Sequence, residues 1–215
     1  MNSSNFIEQL QSVMFPNMFN PYKDFCMLND RPNACNIRSQ QLKKILDSAI
    51  ATNVDAIWVG RDLGYRGGRR TGLALTDDMH LIQHGLRWSL EFNIPVATSK
   101  VKELTASVIW DRLNHISVPI FLWNVFPFHP HEPGNEFSNR LHNRYERNIG
   151  LEILSELIRL IKPYRLVAIG NDAAESLKLF SADELIMVRH PSYGGQNEFR
   201  SQINDLYNIK EWKLC

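Results

Sequence analysis

The sequence predicts an α/β protein: a three-layer αβα sandwich around a central four-stranded parallel sheet. Three observations predict it. Four short apolar, β-rich runs (54–59, 119–124, 166–169 and 184–188) recur along the chain. Longer stretches with apolar residues three and four apart separate them, and strands joined through helices run parallel, covered on both faces. Loops rich in glycine, proline and polar residues follow three of the runs, at the strand ends where such sheets bind ligands.

At 215 residues, with 44% hydrophobic and 22% charged residues, the chain fits a single domain, 1–215, with a sizeable core. Residues 1–35, rich in Phe, Met, Asn and Pro, are expected to form an irregular extension packed on that core. From residue 36, Leu42, Ile45, Leu46, Ala49 and Ile50 mark a helical stripe. The run 54–59 ends at Gly60 and enters a loop, 60–76. A helix is expected over 77–92, with Asp77 and Asp78 in its first turn, and another over 102–115. After the strand 119–124 comes a loop, 125–140, with three prolines. A long helix (142–161), a strand (166–169), a helix (172–180), a strand (184–188), a loop (189–195) and a helix (198–209) complete the order.

Composition narrows the function. A net charge of +1 does not mark a globally basic nucleic-acid binder, although a neutral chain can still gather Lys and Arg on one face. No apolar run nears the roughly 20 residues of a membrane span, and the Asn/Ser-rich start has no basic leader, so a cytoplasmic protein is expected. Cys26, Cys35 and Cys215 match no zinc or iron–sulfur spacing, and no metal or other cofactor is expected.

Residues 60–72 hold five glycines and four arginines, a flexible basic segment suited to phosphate. The segment lacks the Gly-Lys-Ser/Thr of a Walker loop and the spacing of a dinucleotide fingerprint. A solvated turn is the plain alternative; Arg66, Arg69 and Arg70 are read as phosphate contacts because they flank the other candidates. Asn124 closes the second strand. Such an Asn is often a local cap, but its amide, donor at one end and acceptor at the other, can read a base edge. His129 and His131 follow; without Cys or acidic neighbours they read as exposed loop histidines or supports, not metal ligands. In the third loop His190-Pro191-Ser192-Tyr193-Gly194-Gly195 offers an imidazole donor, a hydroxyl and backbone amides. Trp58, Phe121 and Trp123 are simplest as core residues.

Taken in order, strand–Gly60-x-Asp62-x-Gly64, strand–Asn124 and strand–His190-Pro191-Ser192 resemble the uracil-DNA glycosylase superfamily over about residues 54–199. The likeness is greatest to bacterial members without an iron–sulfur cluster, which read Gly-Glu-Ala-Pro-Gly-Tyr-Arg-Gly, Thr-Gly, Trp-Asn-x-x-Pro-x-His-Pro-His and Ser-Asn-Arg. Those motifs stand here at 60–67, Thr71-Gly72, 123–131 and Ser138-Asn139-Arg140. The resemblance implies a monofunctional DNA glycosylase, expected as a monomer, that flips a pyrimidine nucleotide and hydrolyses its N-glycosidic bond to leave an abasic site. It implies Asp62 as the water-orienting carboxylate and His190 as donor to the departing base. Asn124, Gly64, Leu75 and Tyr65 would line the base pocket. Ser192 and Gly194 would hold DNA, beside the three arginines already read as phosphate contacts from their position, with Tyr193 as the wedge that fills the vacated stack.

Two departures bear on substrate. Gly64 stands where strict uracil enzymes carry a tyrosine that bars groups at pyrimidine C5. Leu75 stands where an aromatic ring usually stacks on the base. Uracil and a C5-modified pyrimidine are therefore both expected substrates, for repair by base excision or for antiviral defence against hydroxymethylated or glucosylated phage cytosine. The rivals are an inactive DNA-binding sensor and an enzyme of free nucleotides.

Overall fold

The computed structural model describes residues 2–180 and 185–210, so Glu184, expected to begin the last strand, and Cys215 lie outside the described residues. In chain order the elements begin α1 (Ser3–Ser12), β1 (Met18–Phe19), α2 (Ala34–Ile50), β2 (Ala56–Asp62), α3 (Gly68–Thr71), α4 (Leu81–Arg87) and α5 (Leu104–Leu113). There follow β3 (Ile120–Phe126), β4 (His129–Pro130), α6 (Arg144–Ile161), β5 (Arg165–Ile169), α7 (Asn171–Leu177), β6 (Leu185–Val188) and α8 (Gln196–Tyr207).

The predicted sheet forms, all parallel, in the order β3-β2-β5-β6. Its period-two pattern divides the core. Ile57, Val59, Phe121, Trp123, Leu166 and Ala168 face α1, α2, α6 and α7, while Trp58, Leu122 and Val167 face α5 and α8. Trp58, Phe121 and Trp123 are core residues, and burying each large apolar side chain contributes roughly 1.5–3 kcal/mol. Against the β3 face, α6 comes close enough that a Cβ on Gly150 would stand 2.2 Å from the Val125 carbonyl. The helix begins with a capping box between Asn143 and Glu146.

The first 35 residues are more regular than expected. Ser3–Ser12 is helical, capped by the Asn2 side chain, and buries Phe6, Ile7 and Leu10, with Phe6 against the Trp123 ring. β1 pairs antiparallel with β4. The helix expected over 77–92 shortens to α4. Asp77 and Asp78 turn inward to serve the loops, and the chain folds back over Gly85, whose carbonyl accepts the Leu90 N–H at 2.9 Å.

The segment 60–76 is packed, not flexible. β2 runs on through Gly60 to Asp62, and α3 follows. Arg69 and Arg70, expected to contact phosphate, are only 1% and 5% exposed. The Arg69 guanidinium lies between the Phe19 and Phe137 rings, 4.0 and 4.7 Å from their centroids. Arg70 donates to Asp78 at 2.7 Å and to Thr98 and Ser99. A loop with its backbone folded inward needs buried partners, and these arginines supply them. Tyr22 and Arg38, bonded to the Gly72 and Arg70 carbonyls, brace it from behind. Asp78→Ala leaves the Arg70 charge buried without its carboxylate, so denaturant unfolding should register a loss of about 3–5 kcal/mol.

Candidate active site

At the carboxyl ends of the sheet lies a cavity of about 780 Å³, near the upper end of the roughly 300–1,000 Å³ range of small-molecule sites. It opens where strand order reverses, between β2 and β5. Asp62, Gly64, Leu75, Asn124, His190, Ser192 and Tyr193 all line it, so residues from three sequence-distant loops meet. A fourth strand end joins them, Gly170-Asn171-Asp172 after β5.

Asn124 lies within β3, paired in register with Gly60. Neighbours in register point to the same face, and Gly60 leaves that face bare beside the carboxamide. A Cβ on Gly60 would stand 2.5 Å from Asn124 Oδ1 and 3.1 Å from Leu75 Cδ2. Asn124 is 1% exposed, and its Oδ1 and Nδ2 have no hydrogen-bond partner among the described residues. An unpaired buried amide costs about 1–3 kcal/mol. Asn124 lines the cavity, so a ligand edge with one donor and one acceptor would satisfy both ends.

Asp62 ends β2. Arg61 Nε donates to its Oδ2 at 2.7 Å, and Arg61 Nη1 reaches Asp172 at 2.8 Å. His142 Nδ1 is hydrogen-bonded to Oδ1. The carboxylate is thus oriented from both sides. His142 was not singled out from the sequence, where it read as the first residue of a helix; only the fold brings it to Asp62.

His190 follows β6. Its Nδ1 receives the Ser192 backbone N–H at 3.1 Å and lies 2.7 Å from Ser192 Oγ. A backbone N–H can only donate, so Nδ1 accepts and the neutral ring carries its hydrogen on Nε2. Burial, with the positive charges of Arg61 and Arg189, holds the imidazole below its ordinary pKa and favours that neutral form. Gly170, at φ +88°, leaves room for the ring: a Cβ there would be 3.0 Å from His190 Cβ. Ser192, expected at phosphate, sets the tautomer of His190.

The fold has a counterpart among solved structures. The crystal structure of wild-type SMUG2 from Pedobacter heparinus, a uracil-DNA glycosylase superfamily member, superposes with a TM-score of 0.65. The similarity spans 96% of this chain and 97% of that one at 14% sequence identity. The fold is uracil-DNA glycosylase-like. No protein-family model matches the sequence, and no curated protein matches it.

Within this glycosylase-like fold the remaining candidates scatter. Tyr65 is absent from the cavity wall: its backbone N–H is held by Asn139 Oδ1 at 3.0 Å, and its ring lies under exposed Arg66. Leu75 lines the wall at φ +54°, unusual for a branched side chain, with its carbonyl tied to Trp110 Nε1 at 3.1 Å. His129 and His131, read as exposed loop histidines or supports, are buried supports. His129 Nε2 donates to the Ser138 carbonyl at 2.8 Å, and burial pushes its pKa down to about 3. Among the described residues no group of three or more His, Cys, Asp and Glu is arranged to hold a metal ion, and no helix is long and apolar enough to cross a membrane.

Glu103 was also missed. Its carboxyl lies over Gly64 and Gly67, where added Cβ atoms would stand 2.9 Å from Oε1 and 2.2 Å from Oε2. Burial, reinforced by Asp77 and opposed by Arg66, pushes it up to about 7. No glutamate at 103 stands out in sequence, because its partners lie some 40 positions earlier.

At the rim, Tyr193 is 98% exposed at φ +51°, followed by Gly194 at φ +79°. Such backbone strain at an exposed side chain is repaid by no packing within the chain. Tyr193→Gly should therefore raise the unfolding free energy, by about 1 kcal/mol, in chemical denaturation.

Proposed function

We propose that this chain is a monofunctional DNA glycosylase that takes a flipped pyrimidine nucleotide and hydrolyses its N-glycosidic bond. The observation that carries the reading is the buried, unpartnered Asn124 amide in one cavity with Asp62 and His190. A flipped base offers that amide a donor and an acceptor on one edge.

In this reading Asp62 orients a water against C1′ and stabilises the positive charge that grows on the sugar. The C1′–N1 bond breaks and its electron pair leaves with the base. His190 Nε2–H donates to the base O2, where negative charge develops, as in an oxyanion hole. Water oxygen bonds to C1′, and its proton passes to the Asp62 carboxylate and on to the departing base. His142 and Arg61 act as positioning residues that keep the carboxylate aimed.

Exposed Arg66, with Gly194 and Ser192 at the rim, would meet DNA phosphates, and Tyr193 would enter the stack as the base leaves it. That role accounts for an aromatic residue kept in a strained, solvent-facing position. Gly64 and the size of the cavity favour a pyrimidine carrying a substituent at C5, a preference that suits defence against modified foreign DNA.

The test is base release from duplexes containing uracil, 5-hydroxymethylcytosine or glucosylated 5-hydroxymethylcytosine. Wild-type protein should leave alkali-labile abasic sites. Asp62→Ala should slow single-turnover excision about 10²–10⁴-fold while still binding DNA. No release from any of these bases by DNA-bound wild type would replace this reading with that of a non-catalytic sensor. A second variant tests the base reader without touching it. Gly60→Ala puts a methyl where Asn124 Oδ1 lies, so KM should rise about tenfold or more, with little change in the unfolding midpoint.

A further inference from the structure

Resting on the proposed glycosylase reading, we infer that Glu103 is a specificity-determining residue, accepting hydrogen bonds from hydroxyls on an arm carried by the substrate base. Its carboxyl lines the same cavity as Asn124. Two glycines give it room: a Cβ on Gly64 or Gly67 would force the carboxyl to shift. Its backbone is fixed by the Asp77 carboxylate, which accepts the Glu103 N–H at 2.6 Å, and by Ser107, whose Oγ donates to the Glu103 carbonyl at 2.8 Å. The backbone that carries the side chain is thus held in the wall by contacts made elsewhere.

Distance divides the labour. Gly60, against Asn124, and Gly64, against Glu103, stand four residues apart on a strand and its continuation, where Leu63 still bonds the Phe128 carbonyl at 3.1 Å. At ~3.3 Å per residue, the two side chains meet the cavity on the order of 10 Å apart. A ring whose edge is bonded to Asn124 therefore turns its opposite side, not that edge, toward Glu103. With the ring edge on Asn124, Glu103 meets what extends from the ring.

Carboxylate chemistry sets the class of that arm. With its carboxyl pushed up to about 7, both forms occur near neutrality; each keeps an oxygen that accepts from a hydroxyl, and a methyl group leaves that oxygen unpaired. A neutral sugar alcohol fits better than an anionic arm, since Asp62, Glu132 and Asp172 also line this cavity.

The experiment compares Glu103→Ala and Glu103→Gln with wild type on duplexes carrying glucosylated 5-hydroxymethylcytosine, 5-methylcytosine or uracil. Single-turnover excision is measured for each. Binding of the same duplexes is measured in the Asp62→Asn background. Glu103→Ala should lower kcat/KM and affinity for the glucosylated base about tenfold or more, leaving the two bases without hydroxyls unchanged or improved. Glu103→Gln, which retains one acceptor oxygen, should recover part of the preference. Equal losses on all three bases would indicate a structural role, and no loss on any would remove Glu103 from recognition; either result overturns the inference. If wild type excises nothing yet Asp62→Asn protein binds the glucosylated duplex in a Glu103-dependent way, the glycosylase reading fails and the role of Glu103 stands. If neither excision nor Glu103-dependent binding is seen, both fail.

Discussion

The parallel pairing of β2 with β3 is the constraint from which the site follows. Gly60 lies opposite Asn124 and Asp62 opposite Phe126, so a single register decides what neighbours each polar group. A one-residue slip would turn Asn124 into the opposite helical layer and put a side chain beside it. Register in such a sheet is set by burial on both faces. Trp58 and Leu122 must meet α5 and α8 while Ile57 and Phe121 meet the other layer. The core thereby positions an amide whose own hydrogen bonds the fold leaves unmade.

Stability and the site draw on different residues in the same loop. Between Gly60 and Thr76, the arginines at 69 and 70 turn inward and hold the backbone, braced by Tyr22 and Arg38 from the first part of the chain. That bracing leaves Asp62, Gly64 and Leu75 in the cavity wall. The N-terminal segment, with its helix and its strand against β4, thus acts through the loop as well as covering the core. Strain collects on the other side of this division. Leu75 and Tyr193 both adopt left-handed backbone at the cavity.

Tertiary contacts reassigned several residues with clear sequence signals. Arg69 and Arg70 look like DNA contacts beside five glycines, but charge in a sequence carries no direction. Ser192, read as a phosphate ligand, also faces His190 Nδ1. His142 and Glu103 carried no signal at all. Each sits beside a helix start, and each reaches the site from a distant part of the chain: His142 to Asp62, Glu103 to Gly64 and Gly67.

The sequence alone determined the layered α/β fold and the loops that form the site, because alternating burial and strand–helix order are local patterns with few solutions. It also nominated Asp62, Asn124 and His190, whose residue types stand out at the ends of those strands. Only the tertiary structure decided which way the loop arginines point, that the first segment is partly helical, which ring nitrogen of His190 bears the hydrogen, and which distant side chains complete the cavity. Those outcomes depend on desolvation and on close approach between residues far apart in the chain, and neither is written in any single stretch of it.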